Sequence, residues 1–194
     1  MKKSIHLALV ASSLLLLFLI AACKKGNDAD AVSPEPLHTI GETYQGGIIA
    51  YILQPGDTGY DANKQHGLIA APVDQNNGEL ITWGSNGSVG VTGTAIGLGH
   101  ANTSKIVAYY ASATYAAHVC DNLVLSGYGD WYLPSKDELT KLYQVKASLK
   151  ISDDRYWSST EASAGTAVII RFMDGVAINQ TKTITNKVRA IRSF

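Results

Sequence analysis

The chain has 194 residues, 46% of them apolar, and its 16 Lys and Arg balance its 16 Asp and Glu. That balance, with no recognised nucleic-acid motif, argues against a nucleic-acid partner. The two cysteines, Cys23 and Cys120, exclude a disulfide scaffold, because only Cys120 falls in the part that reads as globular.

The N-terminus reads as an address. Lys2 and Lys3 precede an apolar run over 5–20, and small residues lead to a cysteine in "IAAC", 20–23. The run is shorter than the about 20 residues of a spanning helix and contains His6, Ser12 and Ser13. The small residues before Cys23 resemble a bacterial lipobox, which implies lipidation of Cys23 and cleavage ahead of it. The expectation is a lipoprotein signal peptide over 1–22, a flexible tether over 23–39 and one domain over 40–194. The partner so implied is a membrane, held through a lipid anchor and not spanned. Lys24 after the lipid site fits export to the outer membrane of the cell envelope.

The domain opens with "GGIIAYIL", 46–53, a strand by its β-formers and flanking turn residues. A loop rich in Pro, Gly, Asp and Asn follows, then a buried strand at 68–72 that Pro72 ends. Residues 74–99 hold many glycines and few charges. They predict a long surface excursion with a short strand at 80–83. Asn102 is placed to cap a helix through "TSKIVAYYAS". In the next helical stretch Ala116, Val119, Cys120 and Leu123 form one apolar stripe, so Cys120 reads as core and not as a nucleophile. Gly127 can end that region.

"GYGDWYLPSKDELTKLY", 127–143, is the densest stretch. Ser135 and Glu138 form the S-x-x-E of a capping box, behind a helix stop at Pro134. Asp137 and Glu138 sit in the first turn, where the helix dipole favours negative charge. Leu139, Leu142, Tyr143 and Leu149 supply an apolar face, and Trp131 and Leu133 point inward. These acids read as scaffold. Asp130 is left over, either capping the turn after Gly129 or orienting a neighbouring backbone. Strands are predicted at 155–160, 166–175 and 187–194, with another following the Asp174-Gly175 turn. This order predicts an α+β fold, mainly antiparallel sheet with two to three helices and long loops.

Residues 155–194 carry net charge +4, and 26–154 carry −8. Either the basic segment presents a surface to an anionic polymer, or its charges pair within the fold. Catalytic chemistry is not visible: H-E-x-x-H, G-x-S-x-G and Cys/His zinc spacing are all missing. Asp61, Asn63 and Gln65 alternate like calcium ligands, but the loop glycine and closing glutamate do not follow. The expectation is therefore no enzyme, no cofactor and no metal.

Five segments in order, "GGIIAYILQPGDTGYD", "HGLIAAP", "GDWYLPSKDEL", "YWSST" and "VRAIRSF", resemble the Lcl C-terminal-domain family of the C-type-lectin-like superfamily. The resemblance implies a compact domain whose first and last strands pair, with a long loop region on one side. It makes the 127–143 motif a shared scaffold feature. It also implies a non-enzymatic envelope module, for a glycan or in adhesion. The alternative is a structural lipoprotein that docks another envelope protein. Trp83, Asn86, His100 and Trp157 are the candidate ligand-binding residues, Trp83 foremost for its glycine-rich surroundings. Core packing is the competing reading for Trp131 and Trp157.

Overall fold

A computed structural model describes residues 36–111 and 114–194. Pro36–Phe194 forms one compact unit. It begins ahead of Ile40 because His38 is already tied in: its backbone N–H donates to Gln65 Oε1 at 2.6 Å. Cys23, the signal peptide and nearly all of the tether lie outside the described residues. Among the described residues no helix is long and apolar enough to cross a membrane.

Strands β1 (Thr43–Tyr44), β2 (Gly47–Ile52) and β3 (Gly67–Ala70) form an antiparallel meander that β9 (Ile191–Ser193) completes. The last strand pairs with β3, and not with the first strand as the resemblance implied. The reason is order: β1 occupies one edge of β2, so the open edge is that of β3. Two short strands, β4 (Ile81–Thr82) and β8 (Thr185–Asn186), pair separately. A third sheet holds β5 (Arg155–Ser163), β6 (Thr166–Arg171) and β7 (Val176–Thr181). Asp174-Gly175 turns the β6–β7 hairpin with Gly175 at φ 78°. The fold is thus mixed, with antiparallel sheets and three α-helices among the described residues.

Helix α1 spans Gly99–Tyr109, α2 Ala116–Asp121 and α3 Lys136–Gln144. Asn102 does not cap α1; it lies inside the helix and is buried. Its amide donates inward to Gly93 O at 2.9 Å and to Ser159 Oγ at 3.3 Å. The capping box of α3 forms as the sequence predicts, with Ser135 and Glu138 each bonding the other's backbone N–H. The box does more than cap, because Glu138 itself is buried.

Two apolar clusters fill the unit. One surrounds Trp83, Trp131, Trp157, Ile106 and Cys120; the other joins Leu139 and Leu142 of α3 to Tyr156 and Phe172. Burial pushes the Cys120 thiol well above its ordinary pKa, so it sits as an un-ionised apolar group.

Candidate binding site: a loop held by buried carboxylates

The sheet β5–β6 is irregular where it meets the long loop. Trp157 pairs with Ile169 and Glu161 with Ala167, so Ser158, Ser159 and Thr160 bulge opposite Val168. The bulge turns polar groups toward the 84–98 segment. Thr160 Oγ1 donates to Gly93 O at 2.9 Å, and Glu161 N donates to Val91 O at 2.8 Å. Almost nothing in this segment is regular secondary structure, yet its backbone groups have buried partners.

Two carboxylates do most of the holding. Glu161 Oε1 accepts from Val89 N at 2.9 Å, and Oε2 accepts from Gly90 N at 2.7 Å. Lys182 Nζ reaches Glu161 Oε1 at 2.5 Å, with both side chains essentially inaccessible to solvent. The same ammonium donates to Gly87 O at 2.7 Å and lies 4.6 Å from the centre of the Trp83 ring. Burial alone would raise the Glu161 pKa; the Lys182 bond and the two N–H groups hold it below the ordinary carboxylate range.

Glu138 clamps the other end. Oε1 accepts from Gly97 N at 2.8 Å, and Oε2 from Ser135 N at 2.7 Å. Ser135 Oγ donates to Ala95 O, and Asp137 N to Thr94 O, both at 2.9 Å. A side chain at Gly99 would collide with this carboxylate, which explains glycine at the first position of α1. Among the described residues no cation pairs with it, and burial raises the Glu138 pKa despite its N–H donors.

Trp83 does not lie on the surface. It is fully buried, and its indole N–H donates to Ser158 O at 2.8 Å. The glycines around it let the loop close over the ring instead of exposing it; at Gly84 a side chain would strike Tyr110. Trp157 is equally buried and donates to Ile81 O at 2.9 Å. Both rings are the floor under the loop and are closed to a ligand. Asn86 and His100 are exposed. Asn86 lies beside the β5–β6 turn, where Gly87 N donates to Ala164 O at 3.0 Å. His100 packs edge-on to Tyr132 with ring centres 5.5 Å apart. They mark separate places on the outer surface, and among the described residues no contact joins them.

Most of the basic C-terminal segment is paired within the fold. Lys182 pairs with Glu161, Arg189 with Asp74, Lys187 with Asp154, Arg192 with Asp130 and Arg171 with Asp174. Among the described residues Arg155 forms no ion pair. Asp130 thus has its role: both oxygens meet Arg192, which also reaches Gln45 and covers the Tyr128 ring at 4.0 Å. That bond, first of all, lowers the Asp130 pKa. No local sequence pattern signals it, since the pair joins residues 62 positions apart.

Among the described residues no cluster of three His, Cys, Asp or Glu side chains could hold a metal. Asp61 Oδ1 accepts from Asn63 N at 2.8 Å, and the Gln65 amide is spent on both backbone groups of His38.

A mixed domain with a long, internally anchored loop is the class this geometry defines. The Lcl C-terminal domain profile matches residues 73–192, and the chain belongs to that family. The match begins after β3 and contains both carboxylate clamps. No curated protein matches the chain. The chain is similar to a crystal structure of a fimbrial protein from Bacteroides ovatus ATCC 8483, at 22% identity and a TM-score of 0.52. The similarity covers 75% of this chain and 43% of that one, so the chain spans less than half the length of the fimbrial protein, and the likeness is one of fold.

Proposed function

We propose that this chain is a lipid-anchored envelope protein, joined to an outer membrane through Cys23, whose C-type-lectin-like domain is a non-enzymatic binding module for glycans. One observation carries the reading. Residues 84–98 have almost no regular structure, yet buried Glu161, Lys182 and Glu138 fix them from beneath while Ser85, Asn86 and Ser88 stay exposed. A polar loop ordered before it meets a ligand avoids the entropy cost of ordering on binding. The adhesion-related family membership and the fimbrial likeness are consistent with a surface role. The internal pairing of the basic residues favours a neutral glycan over a sulfated one.

The test is a glycan array probed with the full chain, with and without calcium, at two salt concentrations. The reading expects retention of neutral glycans that neither salt nor chelation removes. Binding restricted to sulfated glycans and lost in salt would overturn the neutral preference. For the anchor, Cys23→Ser is expected to shift the protein from membrane to soluble fractions.

A second reading, docking to another envelope protein, is favoured by β7. Its register with β6 is unbroken over six pairs, and among the described residues no strand covers its outer edge. It contains no Lys or Pro, the usual guards of an open edge, and its Val176 is exposed, as are Met173 and Ile184 beyond its ends. Silence on the array from folded protein, with one envelope protein captured through β7, would establish this reading instead.

A further inference from the structure

We propose that the cleft between the 53–66 loop and the incoming chain at Leu37 is a saccharide subsite for a single neutral pyranose ring. This rests on the glycan-module reading and places a second contact surface outside the family match, ahead of β4.

The cleft encloses about 200 Å³. Sites for drug-sized ligands run to about 300–1,000 Å³, so this one has room for a single ring. Ile52 and Leu53 give it an apolar floor, and Tyr60, 40% exposed, stands at its side. Asp61, Asn63, Lys64 and His66 also line it. A pyranose has the matching chemistry: an apolar C–H face that lies on an aromatic ring, and a rim of hydroxyls that each donate and accept. Asp61 accepts, Lys64 donates and the Asn63 amide does both. His66 Nδ1 is 2.9 Å from Phe194 O and must be the donor there, because a carbonyl only accepts. That leaves Nε2 of the neutral ring as an acceptor. Asp61 and Lys64 cancel in formal charge, so nothing in the lining selects an anion.

The walls are already fixed. Leu53 N donates to His66 O at 2.9 Å and closes the base of the loop. Asp57 Oδ2 accepts from Tyr51 OH at 2.7 Å and from Gln54 N at 2.8 Å. Tyr60 N donates to Asp57 O at 3.1 Å, which sets where the ring stands. Gln65 ties the far wall to His38. These bonds close the loop on itself and leave the Tyr60 ring and the Lys64 ammonium without a protein hydrogen-bond partner among the described residues.

The experiment is saturation-transfer NMR on the full chain, with methyl glycosides of glucose, galactose, mannose and N-acetylglucosamine as probes. At least one glycoside is expected to receive saturation at its ring protons. Tyr60→Ala should weaken its binding by about tenfold, the loss of one aromatic contact. Tyr60→Phe should retain it, and Val124→Ala, on the exposed surface outside the cleft, should leave it unchanged. Transfer that survives Tyr60→Ala and Asn63→Ala would overturn the subsite while sparing the module. Tyr60-dependent transfer beside a silent array would support the subsite and sink the polymer-binding reading. No transfer and a silent array would overturn both.

Discussion

The two loops beside each other on this domain are ordered by opposite means. Residues 84–98 are held from inside, by carboxylates that are buried and charged or buried and strained toward neutrality. Residues 53–66 are held at their own surface, by a tyrosine hydroxyl, an Asp turn and a glutamine bonded to neighbouring backbone. They touch where Gly97 meets Thr58. Buried charge fixes a loop firmly but concentrates the cost of any loss in one pair. Less buried bonds from neutral donors spread a smaller stabilisation over several groups.

The sharpest way to break the contrast is Lys182→Met. It leaves Glu161 buried with its charge uncompensated, which costs about 3–5 kcal/mol. The denaturation midpoint should fall accordingly, and hydrogen exchange should accelerate first at Val89, Gly90 and Val91. A change under about 1 kcal/mol would mean that water, and not Lys182, compensates Glu161. The double variant Lys182→Met with Glu161→Leu should recover only part of the loss, since it removes the orphan charge but leaves Val89 N, Gly90 N and Gly87 O without these partners.

Acid separates the two clamps within the same loop. The folded-state pKa of Glu161 is lowered, so its stabilisation is present above the unfolded value of about 4.3 and is lost as pH falls through the lower folded one. Glu138 runs the other way. Its pKa is raised, so its ionised form costs stability at neutral pH, and protonation on acidification relieves that cost. Exchange protection at Val89 and Gly90 should therefore decay below about pH 4, while the burial penalty on Glu138 is already gone. Equal acid sensitivity of both ends would contradict the assigned environments.

Ser135→Ala is the next largest test. It removes the N-cap acceptor of α3 and the bond to Ala95 O together. Cap loss alone costs about 1 kcal/mol, and the Ala95 carbonyl is left without that donor, so about 2 kcal/mol in total is expected. If α3 alone loosens and Ala95 to Gly97 keep their protection, the box is a cap and not a clamp.

How much of this was legible follows from sequence distance. The capping box was readable because its two residues are three apart and their geometry is fixed by the helix. The strands at 47–52, 67–70 and 166–171 were readable from β-formers between turn residues. The core places of Cys120 and Trp131 followed from local periodicity. What stayed hidden is what long-range contacts decide. Glycines around Trp83 look the same whether the loop exposes the ring or closes over it; Lys182, distant in sequence but against the ring, decides for closure. Asn102 looked like a cap because its side chain can be one, and Gly93 and Ser159 claimed it first. Most of the +4 was offset only when the fold delivered Asp74, Asp130 and Asp154 to the segment, leaving Arg155. The exposed candidates, Asn86 and His100, follow from neither pattern nor packing.

Tyr51→Phe is the mildest test and addresses the other loop. It removes the hydroxyl from Asp57 Oδ2 while keeping the ring, and so keeps the Lys141 ammonium 4.6 Å over its centre. Burial, then the bond to Asp57, pushes the Tyr51 pKa up to about 12. The hydroxyl therefore remains a donor through neutral and mildly alkaline pH, and its contribution should not change across that range. A neutral donor on a carboxylate, partly exposed, predicts a loss of about 1 kcal/mol that is the same at pH 6 and pH 9. Because Gln54 N still holds Asp57, the loop should keep its course, and Tyr60 should hold its place beside the cleft. If the loss instead rivals that of Lys182→Met, or grows with pH, then residues 53–66 depend on a buried electrostatic pair after all, and the contrast between the two loops fails at its weaker side.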